Sequence, residues 1–198
     1  MNYIIVIAVK IGSKVVNDVI RCYDFYIINK DIKVVYGEGF YMVQPIKKIA
    51  LLTGGGDCPG LNAVIRAITR AAILNYGIEV IGYRFGYKGL YHNNFMPLTM
   101  ETVTGILHRG GTILYSSNKD NLFNYMVEKN GVISKEDVSD VAIENMKKEG
   151  VDVLVVIGGD GTLTSARDFA RKGVNVIGVP KTIDNDLAST DVTFGLQQ

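Results

Sequence analysis

The chain has 198 residues and a mass of 21.7 kDa, room for one domain of ordinary size or a little more. It is 47% hydrophobic and 21% charged, a balance that excludes disorder and collagen-like repeats. With 21 Lys and Arg against 20 Asp and Glu the net charge is +1, so no basic field marks a nucleic-acid partner. Two cysteines, Cys22 and Cys58, are too few for a disulfide scaffold and favour a reducing, cytoplasmic setting. The apolar run Tyr3 to Val9 is too short to span a bilayer, and it lacks the basic flank and small-residue cleavage site of a signal peptide.

Residues 1–41 differ in composition from the rest. They hold no Leu, Pro, Thr, Gln or His, and more than half are Ile, Asn, Lys, Tyr or Phe, the amino acids of A/T-rich codons. Tyr3–Val9 and Lys33–Tyr36 pass as strands of a β-rich extension. A second reading starts from Gly37-Glu38-Gly39, which can be encoded by a ribosome-binding-site-like stretch at a suitable distance from Met42. On that reading translation starts at Met42, residues 1–41 are a mis-called leader, and residues 42–198 form the domain.

From Lys47 onward strands and helices alternate. Lys48–Thr53 is a short apolar run ending in glycines, and residues 61, 64, 65, 68, 71 and 72 share a helical face over Leu61–Leu74. Ile78–Tyr83 reads as a strand, and Met100–His108 as a short helix stopped by Gly110-Gly111. Ser134 and Asp137 resemble a capping box ahead of a helix whose Val138, Val141, Ala142 and Met146 share one face. Val151–Ile157 is nearly uninterrupted in its apolar character, as for a strand buried on both faces. Helix Thr162–Lys172 and strand Val174–Val179 follow. The expected fold class is α/β, a parallel Rossmann-like sheet with helices on both faces.

Three loops sit at carboxyl ends of predicted strands, where open α/β sheets bind ligands. In Thr53-Gly54-Gly55-Gly56-Asp57-Cys58-Pro59-Gly60-Leu61-Asn62, glycines let backbone N–H groups close on an anion, and the next helix N-terminus favours it further. A tight strand-to-helix turn uses glycine in the same way. The sequence is neither a Walker loop nor GxGxxG. In Gly158-Gly159-Asp160-Gly161-Thr162, a carboxylate beside phosphate-binding amides suits a nucleotide-bound Mg²⁺; the alternative makes Asp160 a helix N-cap. In Pro180-Lys181-Thr182-Ile183-Asp184-Asn185-Asp186, paired carboxylates beside a hydroxyl and a lysine suit removing a proton from an attacking alcohol. The alternative there is a polar turn.

Together TGGGDCPGLN, GGDGT and PKTIDND, in this order and spacing, resemble the 6-phosphofructokinase family over roughly Lys47 to Gln198. Gly86-Tyr87-Lys88-Gly89-Leu90 and Arg109-Gly110-Gly111-Thr112 belong to the same resemblance. NAD kinases share only the GGDGT element. The resemblance implies phosphoryl transfer from ATP to the 1-hydroxyl of fructose 6-phosphate, with Mg²⁺, in a cytoplasmic homo-oligomer, a tetramer at full length. It makes Asp184 the base, with Thr182, Ile183 and Asp186 in the substrate site. It gives Asp160 to Mg²⁺, and Gly55, Gly159, Asp160, Gly161 and Thr162 to the nucleotide phosphates, with Tyr87 near the base of the nucleotide. Arg66 and Arg70 match positions of an effector site in bacterial members.

The phosphoryl donor in this family is ATP or pyrophosphate. Gly161 leaves space for a nucleotide where an aspartate would fill it, whereas Lys181 occurs in pyrophosphate enzymes; the steric argument gives Gly161 the greater weight and ATP the preference. Tyr115 stands where the family often has glycine. Asn118 and Lys119 stand where many ATP enzymes have an arginine, so Lys119 would meet the donor phosphates as a point charge. His92 and His108 match no motif and read as surface or packing residues. The chain stops one helix after the third loop, so a shortened, inactive piece and a non-catalytic nucleotide-binding remnant are the other expectations.

Overall fold

The computed structural model describes residues 46–118 and 120–181 in full, and the backbone of three short strands before them. Those strands, β1 (Phe25–Ile28), β2 (Asp31–Tyr36) and β3 (Gly39–Met42), form an antiparallel sheet in the order β1-β2-β3. The expected strand Lys33–Tyr36 falls within β2, and Tyr3–Val9 lies outside the described residues. Met42 pairs with Lys33, so β3 crosses the boundary expected after Tyr41.

The main sheet has five strands: β4 (Lys48–Thr53), β5 (Glu79–Tyr83), β6 (Phe95–Pro97), β9 (Val153–Gly158) and β10 (Val176–Pro180). Their order is β10-β9-β4-β5-β6, parallel except for β6, which pairs antiparallel with β5. The expected parallel α/β sheet with helices on both faces is present, with one antiparallel strand added at an edge. The turn of α2 (Tyr87–Tyr91) returns the chain to that edge beside β5, too short a crossover for a parallel neighbour.

Alternation along the buried strands divides the core. Ala50, Leu52, Leu154 and Val156 face α2, α3 (Ser139–Lys148) and α4 (Asp160–Arg171), where Leu90, Ala142, Met146 and Phe169 meet them. Leu51, Val155 and Ile157 face the opposite side and pack with Leu61, Val64 and Ile65 of α1 (Leu61–Tyr76) and with Leu98, Val103 and Leu114. Every residue of β9 is buried, as its unbroken apolar run requires. Helix α1 ends at Gly77, whose φ of 65° suits a glycine C-cap.

Three expectations change. Residues 100–108 form successive turns, because threonine side chains take the backbone groups a helix would use. Thr102 Oγ1 accepts from Thr99 N–H at 2.7 Å and donates to the Thr99 carbonyl at 3.0 Å, while Thr104 Oγ1 donates to the Met100 carbonyl at 2.7 Å. Gly105, at φ 73°, then turns the chain away. Ser134 caps no helix; it lies in β8 (Val132–Glu136), which pairs with β7 (Tyr125–Lys129) across Asn130-Gly131. Those two residues have φ of 53° and 78°, the left-handed pair a two-residue hairpin demands. The N-cap of α3 is Val138; Asp137, just before it, accepts from the Ser139 N–H at 2.9 Å, and Val141 is exposed rather than on the buried face. Among the described residues no helix is long and apolar enough to cross a membrane.

Candidate active site

The loops after β4, β9 and β10 meet because those strands are neighbours. Thr53 pairs with Ile157, and Gly158 with Pro180. Gly54 N–H then donates to the Ile157 carbonyl at 2.9 Å, and Lys181 N–H to the Gly158 carbonyl at 2.9 Å. Gly55 has φ 79°, and its N–H donates to the Ser117 carbonyl at 3.0 Å, which draws the 115–118 segment to the same place. The Lys181 side chain is buried, and its ammonium donates to the Gly56 carbonyl. A Cβ on Gly55 would lie 3.6 Å from that ammonium and 3.9 Å from the Gly159 nitrogen. One cradle thus combines two glycine loops, a helix N-terminus and a cation, the elements from which phosphate sites are built.

Thr162 locks the cradle. A Cβ on Gly54 would come within 2.6 Å of Thr162 Cγ2, and one on Gly158 within 2.6 Å of its Cβ and Cγ2. Both positions therefore need glycine. The Tyr87 hydroxyl donates to the Thr162 carbonyl at 2.9 Å, and its ring stacks on Phe169 with centroids 5.7 Å apart. Burial pushes the Tyr87 phenol well above its ordinary range, and the Asp168 charge adds to this. Tyr87, expected from the resemblance to lie near the base of the nucleotide, is here 4% exposed and holds α4.

Gly161 and Asp160 open the first turn of α4, two residues earlier than the predicted helix start, and both are exposed. A Cβ on Gly161 meets nothing within 4 Å. Asp160 is a helical residue here, and the N-cap is Gly159. Among the described residues no three His, Cys, Asp or Glu converge as a metal cage. A single exposed carboxylate beside a phosphate cradle still fits Mg²⁺ that arrives on a nucleotide, since that ion takes one or two carboxylates with phosphate oxygens and water.

Asn118 is exposed at the end of the 115–118 segment. Lys119, Thr182, Ile183, Asp184 and Asp186 lie outside the described residues. Arg66 and Arg70 lie on α1, and Arg66 Nη1 donates to the Val103 carbonyl at 2.7 Å, bracing the helix against the 99–105 turns. Buried Asn62 ties the loop Arg109–Ile113: its Nδ2 donates to the Arg109 carbonyl at 3.0 Å and its Oδ1 accepts from Ile113 N–H at 2.8 Å. Sequence reasoning quoted Asn62 within its motif but gave it no task. Burial raises the Cys58 thiol, with the Lys181 cation acting in the other direction.

The phosphofructokinase family model matches residues 48–198, three quarters of the sequence, and the chain belongs to the phosphofructokinase family. It is 79% identical over 155 residues to "ATP-dependent 6-phosphofructokinase 2" of Clostridium perfringens, covering 78% of this chain and 42% of that protein. It is 49% identical over 148 residues to the Streptomyces coelicolor protein of the same name, covering 75% of this chain and 40% of that one. The chain thus spans less than half the length of these curated relatives. Among solved structures it resembles the Pichia pastoris phosphofructokinase in the T-state, with TM-score 0.64 and 35% identity over 78% of this chain and 17% of that one. A pyrophosphate-dependent phosphofructokinase from Marinobacter aquaeolei shares the fold at TM-score 0.58 and 21% identity, over 76% of this chain and 37% of that one.

Proposed function

We propose that residues 42–198 are the donor-binding lobe of an ATP-dependent 6-phosphofructokinase, which transfers the γ-phosphoryl group to the 1-hydroxyl of fructose 6-phosphate. The observation that carries this is the convergence of the Gly54–Gly56 loop, the α4 N-terminus and the Lys181 ammonium on one cradle. Phosphoryl transfer needs little covalent chemistry from the protein; it needs the phosphates held in line and their charge neutralised. Here the N–H groups of the first turn of α4 and the Lys181 ammonium supply that charge. The open space at Gly161 supports a nucleotide over pyrophosphate as donor, and the names of the relatives favour the same choice.

Asp160 is the residue to hold Mg²⁺ borne by the nucleotide, which when bound shields the charge of the β- and γ-phosphates. Asp184 is the base that takes the proton of the incoming hydroxyl, with Thr182, Ile183 and Asp186 about the acceptor sugar. Steady-state kinetics with ATP and fructose 6-phosphate, on the enzyme at the full length of its curated relatives, test these roles. A base acts in the transition state, so Asp184→Ser lowers kcat by roughly 10²–10⁴-fold and leaves KM little changed. Asp160→Ala raises the Mg²⁺ requirement as well. Near-normal turnover in Asp184→Ser contradicts its role as the base. The homo-oligomeric, cytoplasmic enzyme of the family is the assembly to which this reading assigns the lobe.

A further inference from the structure

Beside the cradle, two bulky aromatic residues hold backbone conformations that favour glycine. Phe85 has φ 61° and Tyr115 φ 56°, uncommon and costly for large side chains. Their rings stack with centroids 4.8 Å apart and 9° between planes, yet Phe85 is 41% and Tyr115 50% exposed. Neither ring belongs to either core, so burial does not account for keeping the strain.

Hydrogen bonds impose it instead. Phe85 N–H donates to the Leu114 carbonyl at 2.8 Å, Tyr115 N–H to the Thr112 carbonyl at 3.1 Å, and Thr53 Oγ1 to the Tyr115 carbonyl at 2.7 Å. Thr53 directly precedes Gly54, and Tyr115 stands two residues before Ser117, whose carbonyl receives the Gly55 N–H. Two residues span at most about 7 Å, so the stack is anchored at the rim of the cradle. The Arg84 guanidinium lies 5.6 Å from the Tyr115 ring centroid, and its Nε is buried without a hydrogen-bond partner. Tyr87, two residues after Phe85, is buried in the core and presents no exposed ring.

A rigid, exposed pair of rings has nothing to offer a phosphate, but it has a π-face for a flat heterocycle. We propose that the Phe85–Tyr115 stack is the platform on which the purine base of the donor nucleotide stacks, with Arg84 bracing Tyr115 by a cation–π contact. This rests on the reading of the cradle as an ATP site. It makes the two rings determinants of donor choice, since pyrophosphate carries no base to place on them.

The test is equilibrium binding of MgATP and of inorganic tripolyphosphate to the 198-residue chain and to Phe85→Asn, Tyr115→Asn and Tyr115→Phe. Asparagine tolerates a left-handed backbone, so both ring-removing variants are expected to melt no lower than the parent. Loss of base stacking weakens MgATP binding on the order of ten- to one-hundred-fold in the asparagine variants. Tripolyphosphate binding stays unchanged, and Tyr115→Phe, which keeps the ring, binds both ligands as the parent does. If both asparagine variants bind MgATP as the parent does, or lose tripolyphosphate equally, the platform is overturned while the cradle stands. If the parent binds neither ligand, the cradle reading fails and this proposal with it.

Discussion

The Lys181 ammonium donates a hydrogen bond to the carbonyl oxygen of Gly56 across 125 residues of sequence, and so places a buried cation inside the first glycine loop. Among the described residues its hydrogen-bond partner is a neutral carbonyl; a buried charge so partnered is costly to keep, and an arriving polyphosphate offsets that cost. In Lys181→Met the melting temperature is expected to hold or rise. MgATP affinity is expected to fall roughly ten- to one-hundred-fold, the scale of a charge-assisted hydrogen bond. Calorimetric titration beside a thermal melt checks both; unchanged affinity makes Lys181 a brace rather than a donor contact.

Thr162 explains why two glycines from different loops are required. Gly54→Ala forces a Cβ to 2.6 Å from Thr162 Cγ2 and is expected to destabilise by about 1–3 kcal/mol. Removing the threonine branch should recover much of that loss, because Thr162 Cβ is the next atom, at 3.2 Å. A double-mutant cycle with Thr162→Ala measures the coupling by urea unfolding. Simple additivity of the two changes contradicts the contact.

Tyr87→Phe keeps the ring stacked on Phe169 and removes the bond to the Thr162 carbonyl. A loss of about 1 kcal/mol is expected, seen as a fall of a few degrees in melting temperature. A direct role in nucleotide binding predicts instead a loss of MgATP affinity with stability intact.

How much of this was legible beforehand follows from which interactions are local. The all-apolar β9 and the face repeating along α1 carry their own burial pattern, and the glycines of the two cradle loops fall at strand ends where that pattern stops. The β7–β8 hairpin has a local signal in Asn130-Gly131, but its strands do not alternate apolar and polar residues, so the pattern around the turn is weak. The turns over 100–108 differ from the expected helix because threonine hydroxyls compete for backbone groups, which apolar spacing does not register. The burial of Tyr87, the reach of Lys181 to Gly56 and the Phe85–Tyr115 stack are tertiary facts, set by which strands become neighbours.

A chain beginning at Met42 removes β1, β2 and most of β3, none of which joins the five-stranded sheet. It is expected to express and to melt within a few degrees of the longer chain, a shift corresponding to no more than about 1 kcal/mol. A drop of many degrees on thermal denaturation makes the first 41 residues a structural part of the domain.

The central claim, that the cradle receives a nucleotide, is tested most directly at Gly161, where the missing side chain faces open space on the exposed first turn of α4. The measurement is the dissociation constant of MgATP for the parent and for Gly161→Asp, by titration calorimetry at fixed ionic strength. The account predicts that the parent binds and that the variant, with a carboxylate filling the pocket beside the phosphates, binds at least about tenfold more weakly, a loss of 1.4 kcal/mol or more. Equal affinity in the two proteins, or pyrophosphate binding the parent more tightly than MgATP, would contradict it.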